Sequence, residues 1–487
     1  MVSLRMILKW SSSLSSRYSV PASQWAIRTR FTPASPPKAR PSCQVECSAE
    51  GQTVRVHAGE LAELRLDEEL TVEPFDEQDT PAFVRAEQGG EVIMLVSDWG
   101  PGALSQPKLP MRTATIIWSR SNGMKTGWKK ALKIALCVLL ILVLAAGGYV
   151  AYVFLAYYRL EDNLPLAVET AGGEAYSGPA VGVTCRVVSY NVGFGAYSDD
   201  YSFFMDGGTE SRARSADAVR ENLAGAAGEV LGLSPDFLLM EELDVDGTRS
   251  WHVDELALVK EALGGRFLHY TFAQNYDSPY LFYPFLEPHG ANKAGIAVFS
   301  RFPVASALRR SLPIEEGFMK LLDLDRCYSV QRIPVPGTDR ELVLYALHLS
   351  AYTSDGTIAN EQLEMLFADM LAEYEAGGWT VAGGDFNKDL LGDGGAVFGV
   401  SGPDYTWAQP IPAEIIPEGL SVIAPFDPEN PVPSCRNADR PYGGDDFCVT
   451  VDGFIISANV EAAEAGVWDT GFRWSDHNPV YLDFVLR

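Results

Sequence analysis

The chain has 487 residues, 47% hydrophobic and 21% charged, with a formal net charge of −26. That composition excludes wholesale disorder and suits roughly two to four domains, or one large domain with appendages. The charge is uneven. Residues 158–487 hold 50 acidic and 21 basic residues, whereas residues 1–157 carry a net +3, so long-range repulsion disfavours a general binder of duplex DNA.

Residues 1–123 carry no readable function. Residues 10–42 are rich in Ser, Arg and Pro and read as unstructured, while the alternating apolar stretches within 52–99 suit a small β-rich unit. Cys43 and Cys47 make a CxxxC with no second ligand pair nearby, a weak zinc signal. "MKTGWKKALKIALCVLL", from Met124, reads as the start of a membrane-anchored bacterial protein, with Met124 as the expected true start.

Residues 134–158 contain no charge and are long enough to span a bilayer. Lys125, Lys129, Lys130 and Lys133 precede them, and Arg159, Glu161 and Asp162 follow. This bias implies a single-pass cell-membrane protein with a cytoplasmic N-terminus and an extracellular C-terminal part. Trp128, Tyr149, Tyr152, Tyr157 and Tyr158 suit interfacial anchoring. The expected organisation is an extension (1–123), a basic flank and anchor (124–158), a linker (159–180) and a catalytic domain (181–487).

Beyond the linker, strands alternate with helices and loops. Strands are expected at 184–192, 235–243, 293–304, 326–335, 341–350, 379–387, 449–457 and 478–486. The predicted helices are 211–233, 250–265 and 360–377, and residues 267–290 read as an aromatic-rich loop. Cys185, Cys327, Cys435 and Cys448 lie beyond the anchor. Cys435–Cys448 is the most plausible local disulfide, against four buried free thiols as the alternative.

The strand ends share one chemistry. Asn191, Glu241 and Glu242, His348, Asp385 and Asn387, Asp452, and the adjacent Asp476 and His477 each fall at the mouth of a strand. Carboxylates and amides suit a hard divalent cation such as Mg²⁺ or Mn²⁺, and an imidazole beside an acid suits proton transfer. Any one of these motifs alone reads equally well as turn chemistry.

From Cys185 onward, about 300 residues resemble the endonuclease/exonuclease/phosphatase superfamily, which contains deoxyribonuclease I, exonuclease III, neutral sphingomyelinases and inositol-polyphosphate 5-phosphatases. The resemblance is carried by "SYNV", "FLLMEEL", "GIAVFSRFPV", "LHLSA", "GGDFN", "VDGFIIS" and "SDHNPV". It implies an α/β fold, a four-layer sandwich of two packed mixed sheets flanked by helices, and metal-dependent phosphoester hydrolysis. It further implies that Glu242, Asn191 and Asp476 serve the metal. Asp385 and Asn387 would position water and phosphate, His477 would act as base or transition-state stabiliser oriented by Asp452, and His348 would contact phosphate or serve as acid. Glu241 stands where the family usually has Gln.

Asn292, Lys293 and Arg301 are weaker candidates for substrate contact. A solvated role is the commoner outcome for such cations, and for Arg326, Arg436 and Arg440. His252, His269 and His289 read as surface or structural histidines. The loop 275–289 suits a ligand cleft, lipid headgroups or ordinary packing. The expected substrate is a small or lipid-headgroup phosphoester. An extracellular nuclease and an inactive binding module of the same fold are the alternatives, and no protein partner is implied.

Overall fold

The computed structural model describes residues 130–314, 325–351, 357–400 and 407–487 with their side chains, and N-terminal to these only the backbone of helix and strand segments. The chain divides into two compact units, Met1–Ala145 and Ala146–Arg487. In the first, strand Ala26–Phe31 falls inside the Ser/Arg/Pro-rich stretch. Strands Gln52–His57, Phe83–Gln88 and Glu91–Ser97 fall within 52–99. Helix α1, Asn122–Ala156, contains most of the apolar segment, and the most apolar 18 residues of its part Lys130–Ala156 have a mean hydropathy of 2.7 with none of them buried.

The second unit is built on two seven-stranded sheets. One has the order β1 (Leu164–Leu166), β7 (Ser306–Ser311), β8 (Cys327–Pro334), β9 (Glu341–His348), β10 (Trp379–Asp385), β12 (Asp452–Ser457), β11 (Leu420–Ile423). The other runs β2 (Glu169–Thr170), β5 (His269–Asp277), β6 (Asn292–Ser300), β4 (Phe237–Gly247), β3 (Thr184–Asn191), β14 (Val480–Leu486), β13 (Val460–Val467).

The central strands read as nearly unbroken apolar runs because both faces are covered. Between the sheets, Val187, Phe237, Leu239, Ile296 and Val298 meet Leu344, Ala346, Val381, Phe454 and Ile456. On the outside, α2 (Ala216–Leu233) and α3 (Glu255–Ala262) cover the second sheet through Val219, Leu223, Val230 and Val259. α4 (Thr357–Glu375) covers the first through Leu363, Leu366, Phe367 and Met370. The result is the expected four-layer sandwich.

Several local expectations change. Part of the aromatic-rich "loop" is strand β5. Its polar residues fit the sheet interior because Gln331 Nε2 donates to Thr271 Oγ1 across the two sheets at 3.1 Å. The linker supplies β1 and β2, an edge strand for each sheet. Helix α3 is shorter than predicted. Trp251 and His252 take left-handed backbone angles, and Asp254 caps the helix by accepting from the Ala257 N–H. Strands β7 and β13 lack a strong apolar run and were not expected. Cys435 and Cys448 sit on paired short strands but stay free thiols, as do Cys185 and Cys327. Of the earlier expectations, the CxxxC, Trp128 and the flanking Lys125 and Lys129 lie outside the residues whose side chains are described.

Candidate active site

Strand register brings the polar residues together. β3 and β4 run parallel with Asn191 opposite Glu241, and β9 and β10 run parallel with His348 opposite Asp385. β12 runs antiparallel to β10, so Asp385 faces Asp452. The close approach of β9 and β10 requires glycine at 384. Its φ is +146°, and a Cβ there would lie 2.0 Å from the Leu347 carbonyl oxygen. Glu242 lies at an irregularity in β4, where the register shifts between Met240 and Leu243, with φ +58°. The bulge turns Glu242 into the pocket and Glu241 into the interior.

The pocket is lined by Glu242, His348, Asp385, Asn387, Asp476 and His477, together with Arg326, Arg436, Cys435 and Trp407 among others. His477 Nδ1 lies 2.8 Å from Asp452 Oδ2, which also accepts from Ser434 Oγ at 2.7 Å. Burial by itself would lower the His477 pKa, but the Asp452 carboxylate outweighs it and holds the imidazole well above its ordinary value. The Nδ1 proton is therefore fixed toward Asp452, and Nε2 points toward Asp385 Oδ2 at 3.8 Å.

Asp385 is the junction of the site. Its Oδ1 accepts from the Asn387 N–H at 2.8 Å, and its Oδ2 accepts from Asn191 Nδ2 at 3.1 Å and lies 3.5 Å from His348 Nε2. Burial and the Asp452 charge push its carboxyl up to about 7, against the opposing pull of His477. Burial, Arg326 and His477 hold His348 well below its ordinary value, so it is neutral. Asn387 also has positive φ and donates to the Leu349 carbonyl.

Asn191 is placed differently from a simple metal ligand. Its Oδ1 accepts from the Gly193 N–H, and its Nδ2 faces Asp385 and, at 3.4 Å, Glu242. It braces the carboxylates. Glu241 does not join the pocket. It is buried, accepts from Ser189 Oγ at 3.0 Å, and is held well above its ordinary pKa by burial and Asp452, so it keeps its proton. A protonated Glu and a Gln both offer one carbonyl acceptor and one donor side, so the substitution conserves the chemistry of the position.

The residues present fit a divalent cation. Glu242 and Asp476 both face the pocket, and burial and the neighbouring Glu242 raise the Asp476 pKa. Crowded carboxylates that favour protons favour a hard cation with oxygen ligands for the same reason. The Asp452 Oδ1 is buried without a hydrogen-bond partner. Asp385, Asp452 and His477 also bring potential ligand atoms within 4.8 Å of one another, although His477 Nδ1 is already engaged by Asp452 Oδ2.

Three expected substrate contacts are not at the site. Asn292 is consumed internally, accepting from the Arg249 N–H and donating to the His289 carbonyl. Lys293 pairs with Asp277 at the surface, and Arg301 pairs with Asp236 and lies over Tyr176. The cations that do lie in the pocket wall are Arg326 and Arg436, both buried. Arg436 donates to the carbonyls of Ser198, Tyr201, Asn437 and Arg440, and so orders the rim. The sequence signal for Arg326 was only a cation at the start of a strand.

The sequence profile described as "Endonuclease/Exonuclease/phosphatase family" matches residues 188–477. The chain belongs to this family. Membership makes it a hydrolase of the nuclease and phosphatase type. Among solved structures, it is similar to an endonuclease/exonuclease/phosphatase from Beutenbergia cavernae, with 20% identity, 62% of this chain and 72% of that one covered, and a TM-score of 0.45. It is similar also to one from Bacteroides vulgatus, with 13% identity, 63% and 100% coverage, and a TM-score of 0.40. A third is TDP2 from Caenorhabditis elegans, with 14% identity, 63% and 76% coverage, and a TM-score of 0.39. No curated protein matches the chain.

Proposed function

We propose that this family member is a membrane-anchored, outward-facing phosphoesterase that depends on Mg²⁺ or Mn²⁺ and hydrolyses a small or lipid-headgroup phosphoester. The observation that carries the reading is the buried His477–Asp452 pair, its Nε2 facing a pocket of carboxylates. Glu242 and Asp476 would hold the cation. Once bound, the cation supplies neutralisation of the phosphoryl oxygens and stabilisation of the leaving oxygen.

The chain's own residues do the rest. His477, held protonated by Asp452, donates from Nε2 to a phosphoryl oxygen as negative charge builds in the transition state. Asp385, poised at about 7, accepts the proton of the attacking water, and Asn387 orients that water. Arg326 anchors the anionic substrate from the wall. An acidic exterior and an apolar anchor helix support a small or membrane-borne substrate over duplex DNA.

The test is a hydrolysis panel with the full chain in detergent: bis(p-nitrophenyl) phosphate, a phosphoinositide, sphingomyelin and plasmid DNA. Each is run with Mg²⁺, with chelator, and with His477→Ala. The expected result is turnover of a small or lipid phosphoester that chelator abolishes and His477→Ala lowers on the order of 10²–10⁴-fold. Preferred cleavage of plasmid DNA, with steep salt dependence, would instead make it a nuclease. Near-full turnover by His477→Ala would refute the mechanism.

A further inference from the structure

The aromatic segment after β5 is not packed away. Its stem is closed by paired backbone hydrogen bonds between Leu281 and Gly290. Ser211 donates to the Glu287 carbonyl, Arg212 donates to the Pro288 carbonyl, and His289 Nδ1 bonds the Ser211 carbonyl. A loop braced in this way would ordinarily tuck its large apolar groups inward. Here they point out: Phe285 is 76% exposed, Leu286 is fully exposed, and Phe282 and Tyr283 are more than half exposed. An ordered loop that holds neighbouring aromatic and aliphatic side chains in water is the signature of a surface with a partner.

The contacts of the loop point to the nature of that partner. The same loop is bonded to helix α1. Tyr149 Oη donates to the Tyr280 carbonyl and accepts from the Phe282 N–H at 3.0 Å, while Tyr152 Oη accepts from the Tyr280 N–H at 3.0 Å. The Tyr149 and Phe282 rings meet edge to face. Counting about 1.5 Å per residue from Ile134, the far boundary of a hydrocarbon core of about 30 Å falls near residue 154. Tyr149 and Tyr152 therefore lie just inside that boundary, at the depth where tyrosine anchors sit, and the loop lies at the same depth.

We propose that residues 280–288 are a second membrane contact, whose tip (Phe282, Tyr283, Phe285 and Leu286) enters the leaflet on the catalytic-domain side of the bilayer that α1 spans. The inference rests on reading α1 as a membrane span. Residues 277–289 include Asp277 and Glu287 but no Lys or Arg, so the contact is apolar and needs no anionic lipid. It also bears on the substrate. Tyr283 and His289 pack against Phe204, two residues from Asp206 in the pocket wall. The loop thus flanks the pocket mouth and holds it at the lipid surface, where a headgroup phosphoester is presented.

The experiment is spin-label depth measurement on the full chain in phosphatidylcholine nanodiscs. Nitroxides are attached at Leu286→Cys, at Leu142→Cys in the middle of α1, and at Asp217→Cys on the exposed start of α2. The background replaces Cys43, Cys47 and Cys137 by Ser. Each label is read by its collision rate with oxygen against a water-soluble nickel complex. The expected result is oxygen-dominated relaxation at 286 and 142 and nickel-dominated relaxation at 217, unchanged between 0.15 M and 1 M salt. A lipid-buried 142 with a water-exposed 286 overturns the loop contact and leaves the span intact. A water-exposed 142 overturns the span and the loop contact with it. A label at 286 that is immobilised and shielded from both reagents overturns the lipid contact in favour of a protein partner.

Discussion

Replacing Asp452 by Asn isolates the buried proton-handling pair. The carboxylate bonds His477 Nδ1 at 2.8 Å, with both groups buried. Asn has the same shape and can still accept from Ser434 Oγ, so the strand register around it has no reason to change. The charge that holds His477 protonated is removed, while the burial that opposes protonation stays. Breaking one partner of such a buried pair costs about 3–5 kcal/mol. If that loss falls on the transition state, turnover drops by about 10²–10⁴-fold. Asp452 lies beneath the imidazole and does not line the pocket, so kcat should carry the loss and KM should stay nearly constant. The assay is steady-state hydrolysis of bis(p-nitrophenyl) phosphate with Mg²⁺, alongside a thermal melt. An NMR readout of the His477 Nδ1 proton should lose its strongly downfield position. A folded Asp452→Asn protein with kcat reduced by less than about tenfold, or impaired only in KM, would refute the reasoning.

Arg326→Ala should lower kcat/KM by about 10–100-fold, mainly through KM, since a charge-assisted bond to phosphate contributes about 1.5–3 kcal/mol; an unchanged KM would remove it from substrate binding. Glu241→Gln should leave turnover nearly unchanged, because the side chain is already protonated. The folded pKa of Glu241 lies above its unfolded value, so its contribution to stability is full in acid and is lost as pH rises. The Gln variant should therefore gain melting temperature over the natural protein at pH 8 more than at pH 4; equal gains would show that Glu241 is ionised in the fold. His289 has the opposite sign: burial and Arg249 push its pKa down to about 3. Its unfolded state binds more protons below pH 6.5, so stability falls as pH drops through that range, by about 2 kcal/mol between pH 7 and 5. His289→Asn should flatten that part of the denaturation curve; an unchanged slope would assign the acid sensitivity elsewhere.

The sequence by itself determined the fold class and the residue types gathered at the candidate site. Buried strands such as Thr184–Asn191 and Trp379–Asp385 must be apolar along their length, so a polar residue closing such a run stands out, and parallel register then carries those ends to one edge. The apolar segment 134–158 was legible for the same reason of length and uniformity. Only the tertiary structure decided which side of the backbone each end residue faces. The bulge at Glu242 sends one of two adjacent glutamates into the pocket and the other into the core, and nothing in "MEEL" fixes that choice. It also decided which cations reach the site. Lys293 and Arg301 flank the right strand but find Asp277 and Asp236 first, whereas Arg326 and Arg436 are carried into the pocket wall by chain segments far apart in sequence. The loop 280–288 shows the same division: its aromatic content is written in the chain, but its outward orientation beside Tyr149 and Tyr152 depends on hydrogen bonds spanning about 130 residues of sequence, which local propensity does not encode.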